Sequence, residues 1–140
     1  MEAVISDLSE DDVAHLQAKR KWVLGHADDV SRVRTVEGKL WLVDTIIQQR
    51  WISADETVKL QALGVVLGDA VAQEMQLEWR MVEDEHGRDP ALVVPNTTIR
   101  LFPMTMISKR IEGGEEVDVL DLFGRLCGQV KTLVRELRGK

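Results

Sequence analysis

The chain has no tyrosine, two phenylalanines, three prolines and one cysteine among its 140 residues. A lone Cys127 closes no internal disulfide. That excludes a disulfide scaffold and favours a reducing compartment, most simply the cytoplasm. Long apolar runs are missing as well. The most apolar stretch, Leu60 to Ala72, is interrupted by Gln61 and Asp69 and falls short of the roughly 20 apolar residues that span a bilayer. The opening residues, Met1-Glu2-Ala3-Val4-Ile5-Ser6-Asp7, place no basic region before an apolar core, so no signal peptide is expected. Basic charge is in deficit: 18 basic against 24 acidic residues give a net charge of −6. Nonspecific nucleic-acid binding and anionic membranes both need a concentrated basic face, so neither is an expected partner. No internal repeat, low-complexity tract or interdomain linker stands out.

What remains is ordinary globular composition, 44% hydrophobic and 30% charged. The length fits one domain, and about 68–70% of the unfolded surface can be buried at this size. Residues 1–8 read as a loose acidic arm and 10–76 as a helical part. Ser9 caps a first helix over about 10–33, with Glu10, Asp11 and Asp12 at its positive end. Gly25 weakens that helix and allows a break. A second helix starts at Gly38 and carries Leu40, Val43, Ile47 and Trp51 on one face. Ser53-Ala54-Asp55-Glu56 is a capping-box sequence and opens a third helix, about 54–76. Its middle is apolar on nearly every side, as expected of a central, buried helix. Alternation over 77–102, punctuated by His86-Gly87-Arg88-Asp89-Pro90 and Pro95-Asn96, predicts three antiparallel strands. In 103–140 a short helix from Met104 to Ile111 precedes a long one over 117–138. The predicted class is α+β: three N-terminal helices, a small three-stranded sheet, then two helices.

A set of short motifs carries a family resemblance. They are Leu63-Gly64-Val65-Val66-Leu67-Gly68, Leu77-Glu78-Trp79, Val82 through Asp89, and Phe102-Pro103-Met104-Thr105-Met106-Ile107-Ser108-Lys109-Arg110, ending at Val117-Asp118. In this order the segment from about 41 to 123 resembles a bacterial family known as domain of unknown function 3806. The resemblance implies a small bacterial α+β domain and brings no reaction, substrate or catalytic residue.

Several clusters invite chemistry. Glu83, Asp84, Glu85, His86 and Asp89 offer oxygen and nitrogen ligands for a divalent cation. On a strand, however, Glu83 and Glu85 point opposite to Asp84, so a solvated strand end entering a hairpin is the plainer reading. Lys109 and Arg110 offer an anion or an acidic partner two cations, unless they face Glu112, Glu115 and Glu116. Ser108 beside Lys109 lacks the geometry of a nucleophile and base. Cys127 has no local activator and reads as buried and inert. Gly64 and Gly68 allow close helix packing, and no Gly-Lys-Ser/Thr follows to make a phosphate loop. Trp22, in a basic stretch off the apolar stripe, is the candidate exposed anchor, and Arg88 a further partner contact.

No cluster combines nucleophile, base and orienting partner. The leading expectation is therefore a cytoplasmic, non-enzymatic protein-binding module without a cofactor. Its partner-binding residues would be Trp22, Arg88, Lys109 and Arg110, docking a basic partner in the manner of an immunity protein or antitoxin. The alternative is a metal-dependent enzyme or metal-binding domain using Glu83, Glu85, His86 and Asp89. Self-association through the first helix is a third expectation.

Overall fold

The computed structural model describes residues 2–139. In order they form β1 (Val4–Ser6), α1 (Glu10–Leu24), a 3-10 turn at Val30–Arg34, α2 (Val36–Gln48) and α3 (Thr57–Met75). Then come β2 (Glu78–Asp84), β3 (Gly87–Val93), β4 (Arg100–Leu101), a 3-10 turn at Pro103–Thr105, α4 (Met106–Glu112) and α5 (Val119–Arg138). The class is α+β, with five helices against one antiparallel sheet in the order β1-β2-β3-β4. Among the described residues no helix is long and apolar enough to cross a membrane.

The fourth strand corrects the expectation of a loose arm and a three-stranded sheet. Val4, Ile5 and Ser6 pair with Glu83, Val82 and Met81. β-Branched residues there cover an edge of β2 that would otherwise be left open. Arg80 fastens the strand, donating to the Ser6 carbonyl and lying 3.1 Å from Asp7.

The first helix is shorter than its pattern. Ser9 and Asp12 form a reciprocal capping box at its start, while the chain leaves the helix at Gly25 rather than near 33. Asp29 then caps a separate 3-10 turn through the Ser31 N–H. Helix α2 buries Leu40, Leu42, Val43 and Ile46. That stripe differs from the predicted one, because Trp51 lies beyond the helix end and is 50% exposed. Helix α3 starts three residues late. Glu56 does reach back to the Ser53 N–H, but the Ser53 hydroxyl donates to carboxylates instead of capping.

Helix α3 is the central element, with every residue from Ala62 to Gly68 buried. Its two glycines are sites of close approach. A Cβ on Gly64 would sit 2.6 Å from the Pro103 carbonyl oxygen, and one on Gly68 would sit 2.6 Å from the Trp79 ring. The 3-10 turn at 103–105 and the first long strand are thus seated directly on α3. One polar residue joins the packing: Asp69 accepts from the Arg20 guanidinium at 2.6 and 3.0 Å and from the Trp79 indole at 2.8 Å. This ties α1, α3 and β2 at a single half-buried carboxylate.

The hairpin is tighter than predicted. Its loop is Glu85-His86, and Gly87, with φ of 121°, already pairs with Asp84. Pro90 lies within β3, where β4 pairs only Leu92 and Val93. A missing N–H is tolerated on such an edge. Helix α5, capped by Asp118, buries Val119, Leu122, Leu126, Cys127 and Val130.

Candidate functional site

The sequence-derived contact residues do not converge. Arg88 forms a two-pronged pair with Asp12, at 2.8 and 2.7 Å, so it fastens the hairpin to the start of α1. Its guanidinium holds the Asp12 carboxyl well below the ordinary carboxylate range. Trp22 is half-buried against the core, with the His26 ring 4.6 Å away and the Lys59 ammonium 5.6 Å from its centroid. Trp22 is thus partly covered rather than a fully exposed anchor. Arg110 donates to the Met106 carbonyl, Lys109 is exposed, and Ser108 is buried and donates to the Thr105 carbonyl. The acids expected to face these cations are engaged elsewhere or point away, Glu112 accepting from Thr57.

The metal reading fails on geometry. Among the described residues no three His, Cys, Asp or Glu side chains gather as a ligand set. Glu83 pairs across the strands with Arg88, Asp89 with Val82, and Asp84 accepts from the His86 N–H. Glu83, Glu85, His86 and Asp89 are all exposed, and of the four only Glu85 and His86 come within 4 Å of each other as an ion pair. Cys127 is buried, and burial pushes its thiol up. The first helix turns Leu16 and Val23 into the core and leaves Val13 of the same stripe 42% exposed.

A groove of about 1030 Å³ opens on another side of the molecule, where four helix ends meet. Its apolar lining is the half-buried Ile47 at the end of α2, Ile52 after it and Ile111 of α4, over the fully buried Ile46 of α2 and Leu60 and Leu63 of α3. Carboxylates of Asp44, Glu115, Glu116 and Asp118 line it, with Arg50 as the cation among the lining residues.

Two helix C-termini shape the rims. At the end of α2 the Arg50 N–H bonds the Ile47 carbonyl and the Trp51 N–H the Ile46 carbonyl. Arg50 itself is left-handed, with φ of 55°. At the end of α4 the Gly114 N–H bonds Ile111 and the Glu115 N–H bonds Arg110, with Gly114 at φ 79°. Both are helix stops of the type that places a left-handed residue just past the last turn. They place Arg50 and Ile52 on one side of the groove and Glu115-Glu116 on the other. Trp51 stacks on His26, with centroids 5.7 Å apart and planes 25° apart.

The helix dipoles largely cancel here, since α2 and α4 end at the groove while α3 and α5 begin there. The sign of the field is set by side chains, four carboxylates against one guanidinium. Asp118 is partly committed to capping α5. Among the described residues neither Glu115 nor Glu116 has a cation within 4 Å. The arrangement can hold a cation that carries apolar surface beside it. Sequence reasoning missed Asp44, Arg50 and Ile52 as groove residues. The signal within reach was Gly113-Gly114-Glu115-Glu116, a helix stop followed at once by unpaired acids.

A crystal structure of a protein from Bacteroides thetaiotaomicron has the same fold, with a TM-score of 0.72 over 89% of this chain at 16% identity. The chain spans about half of that protein, 47% of its length. No curated protein matches the sequence. The family model for Domain of unknown function (DUF3806) matches residues 39–123. That interval runs from α2 through the whole groove to the first turn of α5, and the chain belongs to the DUF3806 family.

Proposed function

We propose that the protein is a binding module that takes a cationic, partly apolar segment of a partner protein in the groove between the ends of α2 and α4. The observation that carries this reading is the pairing of the half-buried Ile47, Ile52 and Ile111 with unpaired Glu115 and Glu116 in one groove. A half-exposed tryptophan beside that groove is the type of residue that anchors interfaces. Binding rather than catalysis is favoured because the nucleophile candidates lie elsewhere, Ser108 at 2% and Cys127 at 6% exposure. A buried free thiol suits a reducing, cytoplasmic setting. An immunity or antitoxin-like protein is one form such a module takes when its partner is basic.

Trp51 supplies the readout. A peptide with leucine and lysine at helical spacing should change its fluorescence, and added salt should weaken the binding. Glu115→Lys with Glu116→Lys should weaken it about two- to thirtyfold at low salt, from two exposed pairs at about 0.2–1 kcal/mol each, with repulsion pushing toward the upper end. Equal affinity for wild type and the double variant, or affinity indifferent to salt, would overturn the reading.

A further inference from the structure

Helix α5 carries a second unpaired charge set, of opposite sign to the groove. Lys131, Arg135 and Arg138 recur at spacings of four and three, so they share one face. All three are exposed, and among the described residues none has a carboxylate within 4 Å. Leu137 lies on the apolar stripe of the same helix, about 100° round from Arg138, and is 50% exposed. The end of α5 is therefore itself a cationic, partly apolar segment, which is the chemistry the groove fits.

Geometry forbids the two from meeting within one chain. Asp118, at the start of α5, lines the groove. The cationic face lies at the other end of a 20-residue helix, about 30 Å away. We infer that the groove's occupant is the last turns of α5 from a second copy of the chain, with Leu137 turned to the apolar floor, Arg138 a quarter-turn away toward Glu115 and Glu116, and Arg135 adding positive charge above that rim. This rests on the groove reading above and names its partner. Because donor and acceptor surfaces sit at opposite ends of one rod, the contact is head-to-tail, and successive copies add until a ring closes. Net charge of −6 opposes association at long range. At physiological salt that repulsion is screened beyond about 8 Å, whereas contact pairs persist.

Sedimentation velocity of the full chain tests this. The weighted-average mass should rise with concentration and fall back at high salt. Arg135→Glu with Arg138→Glu should remain monomeric, as should Glu115→Arg with Glu116→Arg. All four sites are exposed, and circular dichroism confirms folding. Mixing the two double variants should restore association, because each then meets its opposite charge. A wild type that stays monomeric at every concentration, or an association unchanged in either double variant, overturns the inference. The peptide titration separates the failures. A monomeric wild type whose Trp51 still reports salt-sensitive peptide binding removes the second copy as occupant and leaves the groove reading intact. Loss of both removes both.

Discussion

Adding one methyl group to a helix glycine should have opposite effects at two places in this molecule. In an exposed helix, glycine to alanine gains about 1 kcal/mol through backbone propensity. Gly128 on α5 meets that condition, since a Cβ there would find nothing within 4 Å. Gly64 on α3 does not. Its Cβ would lie 2.6 Å from the Pro103 carbonyl oxygen and 2.7 Å from the Met104 carbonyl carbon, where about 3.5 Å is comfortable. The obstacle is backbone, so rotamer changes bring no relief, and the turn at 103–105 must move by almost 1 Å. That turn also holds Pro103 against Gly68 and Trp79, so the displacement loosens a second contact. Overpacking costs about 1–3 kcal/mol, with the upper end fitting a rigid neighbour. The propensity gain offsets part of it. The net for Gly64→Ala is then about 1–2 kcal/mol of destabilisation, or roughly 3–8 °C in Tm for a domain of this size. Gly128→Ala should raise Tm by about 3–5 °C. Thermal unfolding followed by circular dichroism, with urea midpoints as a check, reads both. A Gly64→Ala protein as stable as wild type would refute the argument that close seating of α3 on this turn explains the glycine.

Two further outcomes follow from the polar ties. Asp69→Ala leaves the Arg20 guanidinium, on a side chain 19% exposed, and the half-buried Trp79 indole without their acceptor, and should cost about 2–4 kcal/mol in urea unfolding. The double variant with Arg20→Ala should lose less than the two single losses together, and strict additivity would show that the pair contributes nothing. The Arg88 guanidinium holds the Asp12 carboxyl below its ordinary value of 3.8. Its stabilisation is therefore complete above that value and is lost as pH falls through the lowered one. Wild type should exceed Asp12→Asn in urea midpoint at neutral pH, with the gap closing from about pH 4 downward. A gap that stays constant into acid would contradict the pair.

The fold was legible where local pattern and packing agree. The apolar run of α3 announced a buried helix, and Ser9 with Asp12 announced a helix start that forms as a full capping box. Elements were misread where a distant partner decides. Val4-Ile5-Ser6 is too short to signal a strand alone, and only the open edge of β2 makes it one. Pro90 looked like a strand breaker because its tolerance depends on how short β4 is. Ser53 and Glu56 matched a capping box in letters, but the serine hydroxyl had nearby carboxylates to donate to. Arg88 looked free because its partner Asp12 is 76 residues away.

The same division explains why family membership was readable while the site was not. The motifs that carry the resemblance are seats and clamps: Gly64 and Gly68 under Pro103 and Trp79, and Arg88 on Asp12. Their chemistry is fixed by the fold, because a methyl group or a lost charge there disturbs packing at once. The groove is assembled differently. Asp44, Arg50, Ile52, Glu115 and Glu116 come from helix ends and connecting segments separated by as many as 72 positions, and three of the five lie just past a helix stop. Such positions tolerate exchange because they face solvent. A relative could keep every seat and clamp yet carry lysine at 115 and 116, and its groove would then select an acidic segment. The fold signature therefore identifies the scaffold, while under the proposed function the residues following the ends of α2 and α4 choose the partner.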